Sequence, residues 1–94
     1  MEKKLFTVYD SKSETYLSPV AHNATGDALR SFADAVNAPP KSSNLSDHPE
    51  DFTLFEIGTF NICTGELIAI DKKSLANGID VKINDITQQP QAVA

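Results

Sequence analysis

Asp47-His48-Pro49-Glu50-Asp51 gathers a histidine and three carboxylates within five residues. Imidazole nitrogen and carboxylate oxygen are donors that divalent metals accept. Metal centres place such donors at set spacings and draw in a further ligand from elsewhere, and this chain offers no nameable one. The simpler reading is a solvated turn in which Asp47 or Asp51 caps backbone amides, so no metal is expected. Ser46, Asp47 and His48 are consecutive, whereas the members of a nucleophilic triad meet across a fold. His22 precedes a helix signal and reads as a surface or turn residue. Cys63 is the only cysteine. It excludes an internal disulfide and a multi-cysteine zinc site, suits a reducing compartment, and lacks the basic setting that activates a thiol. Gly26, Gly58, Gly65 and Gly78 are isolated, so no glycine-rich phosphate loop exists. No nucleophile, base and stabiliser assemble from these residues: no catalytic residues, no cofactor and no enzymatic activity are expected.

Cations are the remaining chemistry. The formal charge of −5 argues against a protein that coats nucleic acid through bulk electrostatics, and any such contact must be local. The candidates are Lys3, Lys4, Lys72 and Lys73. A helical crossover that leaves the first two long strands parallel would bring the four lysines to one end of the sheet. Asp47, Glu50 and Asp51 would join them there, so a surface ion network competes with a binding patch. Tyr9, Tyr16, Phe52 or Phe60 could stack on unpaired bases; core packing is their other use.

The elements that must position these groups belong to one domain, since 94 residues suffice for a single modest core. Lys4 to Asp10 alternates as a strand with bulk on both faces. Ser11 to Glu14 is a polar turn, and Thr15 to Leu17 runs back briefly before Pro19 interrupts the pairing. Asn23 or Thr25 caps a helix with Asp27 in its first turn. Leu29, Phe32, Ala33 and Val36 share its apolar face, and Asn37 with Pro39-Pro40 ends it. Leu45 is an apolar anchor in the polar loop that follows. Phe52 to Phe60 is an aromatic, β-branched strand, and Thr64-Gly65 supplies the turn from which Glu66 to Ile70 folds back. Lys72 to Asn77 reads as a helical turn stopped by Gly78, and 79–83 as a short strand. The expected architecture is therefore α+β: a small, mostly antiparallel sheet with a hairpin at 52–70 and one packed helix at 25–37. Residues 1–83 form the domain and 84–94 a flexible tail.

One helix covers one face of a sheet, yet these strands carry apolar groups on both. Self-association through Phe6, Val8, Phe52 and Leu54 is the economical expectation, giving a dimer or larger homo-oligomer. The alternative is closure of the second face within the monomer, by the tail or by the 72–78 segment. No segment approaches membrane-spanning length and no secretory signal is present, so a cytosolic protein is expected.

Three separated stretches, in order, carry a resemblance. They are Lys4-Leu5-Phe6-Thr7-Val8-Tyr9-Asp10-Ser11-Lys12, the helical Gly26-Asp27-Ala28-Leu29-Arg30-Ser31-Phe32-Ala33-Asp34-Ala35-Val36-Asn37, and His48-Pro49-Glu50-Asp51-Phe52-Thr53-Leu54-Phe55-Glu56-Ile57-Gly58. Together they resemble the small nonstructural protein of gokushoviruses, single-stranded DNA phages of the microvirus family. The resemblance implies a non-enzymatic protein of the infected bacterium's cytoplasm, absent from the mature virion. It further implies single-stranded DNA binding, or control of the switch from duplex replication to single-stranded genome synthesis and packaging. Phage replication or capsid proteins are the implied partners. The competing class is an adaptor that binds phage or host proteins and no nucleic acid.

Overall fold

In the computed structural model, which describes residues 1–83, a long strand comes first and a short helix last. The order is β1 (Glu2–Asp10), β2 (Thr15–Tyr16), β3 (Val20–His22), α1 (Thr25–Val36), α2 (Asn44–Asp47), a 3-10 turn (Pro49–Asp51), β4 (Phe52–Asn61), β5 (Leu67–Asn77) and α3 (Gly78–Val81). This is an α+β fold built on one antiparallel sheet of five strands. The sheet runs β2-β1-β4-β5, and β3 pairs with β1 on the same side as β2. The expectation of a flexible tail over residues 84–94 lies outside the described residues.

The parallel crossover that would have gathered the four lysines does not occur between β1 and β4. Phe6 lies opposite Glu56 and Asp10 opposite Phe52, an antiparallel register along the full length of β1. The physical reason lies in residues 15–22. After the Ser11–Glu14 turn the chain returns along β1 as β2 and β3, so it has already reversed direction before the helix begins. The helix thus links β3 to β4, with β1 between them.

Ala24 holds the N-cap position of α1 and makes no side-chain cap; Thr25, the first helical residue, accepts a bond from the Lys4 ammonium at 3.1 Å. Neither Asn23 nor Thr25 serves as the expected cap. At the other end Asn37 does. Its side-chain amide donates to the carbonyls of Ala33 (2.8 Å) and Val81 (2.9 Å), and its Oδ1 accepts from the Ile83 amide (2.8 Å). Lys82 adds a bond to the Val36 carbonyl at 3.2 Å, placing a cation on the negative end of the helix dipole. One cap therefore closes the helix and ties down the C-terminal segment.

The core lies between α1 and one face of the sheet. Ala28, Phe32 and Val36 of the helix meet Phe6, Phe52 and Leu54 of the strands, all at most 4% exposed. Val8, Leu29, Leu45, Leu75, Ala76 and Val81 pack around them. Leu45 is thus the anchor it was expected to be. Phe6, Val8, Phe52 and Leu54, the expected self-association residues, belong to this core within one copy.

The hairpin is longer than expected. β5 continues to Asn77, where a helical turn was anticipated from Lys72, and 78–81 is helical where a strand was anticipated. The polar run Lys72-Lys73-Ser74 stays extended because β4 offers it a ladder, with Lys73 opposite Glu56 and Ser74 opposite Phe55. α3 then starts from a capping box: the Asn77 side chain accepts from the Ile79 amide and Asp80 accepts from the Asn77 amide, each at 3.0 Å. That local bonding outweighs the alternation of Ile79, Val81 and Ile83. At Gly58 a β-carbon would run into the carbonyl oxygen of Ile68, so the bulge around Ile57 brings β4 and β5 too close for any side chain there.

Candidate nucleic-acid interface

Side chains alternate across a strand, so the register fixes which groups share the face away from α1. On β1 these are Lys3, Leu5, Thr7 and Tyr9. Thr53 and Phe55 of β4 stand opposite Tyr9 and Thr7. The Thr7 hydroxyl is buried and donates to the Leu17 carbonyl at 2.7 Å, while the Leu17 amide donates to the Val8 carbonyl at 2.8 Å. These two bonds hold the returning 15–17 segment against the strand and set Tyr16 beside Tyr9.

The result is an aromatic group with a cation over it. The Tyr9 and Tyr16 ring centroids lie 4.7 Å apart, and those of Tyr16 and Phe55 lie 6.2 Å apart, edge to face. The Lys72 ammonium stands 5.6 Å from the Tyr16 centroid and 5.8 Å from that of Phe55. Both distances are within cation–π range. Beside the group opens a shallow, mainly apolar cavity of about 330 Å³ lined by Thr7, Tyr16, Leu17, Pro19, Ile57 and Lys72. Tyr16 and Leu17 are 46% and 44% exposed, so aromatic and aliphatic surface stays open to a ligand.

The four candidate lysines do not converge. Lys3 and Lys72 are on this open face. Lys4 points to the helix side, where it bonds Thr25, and Lys73 pairs in register with Glu56 on that side as well. The acidic loop is not their neighbour: Phe52, next to Asp51, is opposite Asp10, the far end of β1 from Lys3 and Lys4. Both corrections follow from the antiparallel register. Of the aromatics considered for stacking, Tyr9 and Tyr16 are in the group, Phe52 is in the core, and Phe60 is opposite Lys3 nearer the hairpin turn. Phe55 was missed. Only its register opposite Thr7 separates it from its buried neighbour Leu54.

The 47–51 stretch folds as a capped turn. Asp47 accepts from the Lys41 amide at 2.8 Å, and Ser43 and Ser46 form a reciprocal cap at the start of α2. His48, Glu50 and Asp51 bring one donor atom each within 4.8 Å of one another. They line a cleft of about 360 Å³ with Asp10, Lys12, Asn44 and Phe52. His22 sits on β3 with its ring edge-on to Phe6 at 5.7 Å. Cys63 is exposed in the hairpin turn, its amide held by the Asn61 side chain at 2.8 Å.

Fold and face together define a small α+β module whose sheet is closed by a helix on one side and presents aromatic rings and lysine on the other. The chain belongs to the phage ORF5 protein family, whose model matches residues 3–81, and is thus a phage protein. No curated protein and no solved structure matches it. Among the described residues no helix is long and apolar enough to cross a membrane.

Proposed function

We propose that this phage protein is a nonstructural regulatory factor of the gokushovirus type. In this reading it touches single-stranded DNA with the open face of its sheet, in control of the switch from duplex replication to single-stranded genome synthesis and packaging. Its place of action is the host cytoplasm, with replication or capsid proteins as further partners.

The observation that supports this reading is the Tyr9-Tyr16-Phe55 group with the Lys72 ammonium over it. Exposed rings on a sheet stack with unpaired bases regardless of sequence, and a lysine among them answers the phosphate. An acidic chain with two lysines on that face suits a weak, local contact better than a coat. The contact would therefore show a shallow salt dependence, equivalent to only a few charges.

Fluorescence anisotropy with a labelled single strand of roughly 15 nucleotides, near the upper end of the span that one OB-type module covers, tests it. Tyr16→Ala and Lys72→Ala should each weaken binding about tenfold, in line with the ~1–3 kcal/mol typical of a base-stacking ring. Lys4→Ala and Lys73→Ala, on the helix side, should change little. Undetectable binding by the unaltered protein at low salt would overturn the proposal in favour of a protein adaptor.

A further inference from the structure

Among the described residues β5 ends the sheet, runs for eleven residues, and is exposed from Leu67 to Ser74. A strand in that place leaves a row of backbone N–H and C=O groups free to template another strand. Proteins blunt such edges with lysines or bulges. β5 does so over one half only. Its pairing with β4 jumps from Glu56 opposite Lys73 to Gly58 opposite Ala69, so Ile70, Asp71 and Lys72 face a single residue of β4. That slip and the two lysines guard the C-terminal half. The other half is bare: Leu67, Ile68 and Ala69 are in regular register with β4, and Leu67, Ile68 and Ile70 are 67%, 45% and 42% exposed.

Charge at the two ends of this apolar run differs in sign. Glu66 precedes it, while Asp71, Lys72 and Lys73 follow it with a net charge of +1. Antiparallel pairing of two copies sets each acidic end beside the partner's basic end; parallel pairing sets like against like. The run is therefore self-complementary under a two-fold axis, the commonest symmetry of soluble oligomers.

We infer that the Leu67–Ile70 edge of β5 pairs antiparallel with the same segment of a second copy, joining two sheets into one. The two-fold axis stands normal to the sheet, so the aromatic faces of both copies open on the same side. The pairing does not depend on what that face binds.

Sedimentation equilibrium of the full chain from about 1 to 200 µM, a range that brackets affinities near −6 to −8 kcal/mol, reads the mass. A dimer is expected. Ile68→Lys and Ile70→Lys, both at exposed positions, should each raise its Kd about tenfold or more with an unchanged far-UV circular dichroism spectrum. Glu66→Lys and Lys73→Glu should each weaken it, and the double variant should recover it. A sample mixing labelled and unlabelled chains should give intermolecular nuclear Overhauser contacts among residues 67–70. A monomer throughout the range, or a dimer indifferent to Ile68→Lys and Ile70→Lys, overturns the inference. Single charge variants that weaken the dimer without recovery in the double overturn the antiparallel arrangement.

Discussion

The two faces of the sheet are made by the same strands and differ in what lies over them. On one, Phe6, Phe52 and Leu54 are sealed by α1; on the other, among the described residues, Tyr9 and Phe55 meet the short 15–17 return and the Lys72 side chain but no helix. Phe6 and Phe55 are both phenylalanines within the central strand pair, yet one is fully buried and the other is half-buried beside a lysine. Residue type thus does not separate the buried face from the open one in this molecule. Burial of the first set contributes to stability, whereas the second set keeps part of its ring surface in solvent.

Breaking the closed face should have the largest effect. Phe32→Ala removes a ring that is 4% exposed, and chemical denaturation should show a loss of roughly 3–5 kcal/mol. Against the ~5–15 kcal/mol that stabilises a typical native domain this is a large fraction, so the thermal midpoint should fall well below that of the unaltered chain. A smaller loss, of about 1–3 kcal/mol, is expected for Asn37→Ala, which frees the Val81 carbonyl and the Ile83 amide and leaves the Ala33 carbonyl only the backbone amide of residue 37. Amide exchange should then speed up around residues 78–83 before the helix itself opens.

The open face should respond in the opposite sense. Tyr16→Ala, at a residue already 46% exposed, should cost only about 1 kcal/mol or less of stability while weakening single-strand binding as proposed above. A denaturation midpoint lowered as far as that of Phe32→Ala would show the two faces to be equally structural, and the contrast would fail. Lys4→Ala should have the smallest effect, within roughly 0.5 kcal/mol, since it removes one partly exposed bond to Thr25. It serves as the control against Lys72→Ala in the binding assay.

Local chemistry in the sequence determined much of this protein. The 3.6-residue spacing of apolar groups located α1, the β-branched and aromatic runs located β1 and β4, Thr64-Gly65 located the hairpin turn, and Asn37 marked the helix end. Each of these is set by neighbours a few residues away, which is why it is legible without the fold. The tertiary structure alone decided the rest. Strand direction hinged on two- and three-residue strands at 15–22, too short to carry a periodic signal, and their reversal separated the four lysines and moved the acidic loop to the far end of β1. Lys72 to Asn77 became strand through bonds donated and accepted by β4, partners distant in sequence. The side of the sheet to which Phe52, Phe55 and Lys72 belong depends on register and bulges, and a one-residue slip sends every side chain to the other face. The aromatic group, which exists only where β1, the 15–17 return, β4 and β5 meet, is therefore a product of pairing between strands and not of any single stretch.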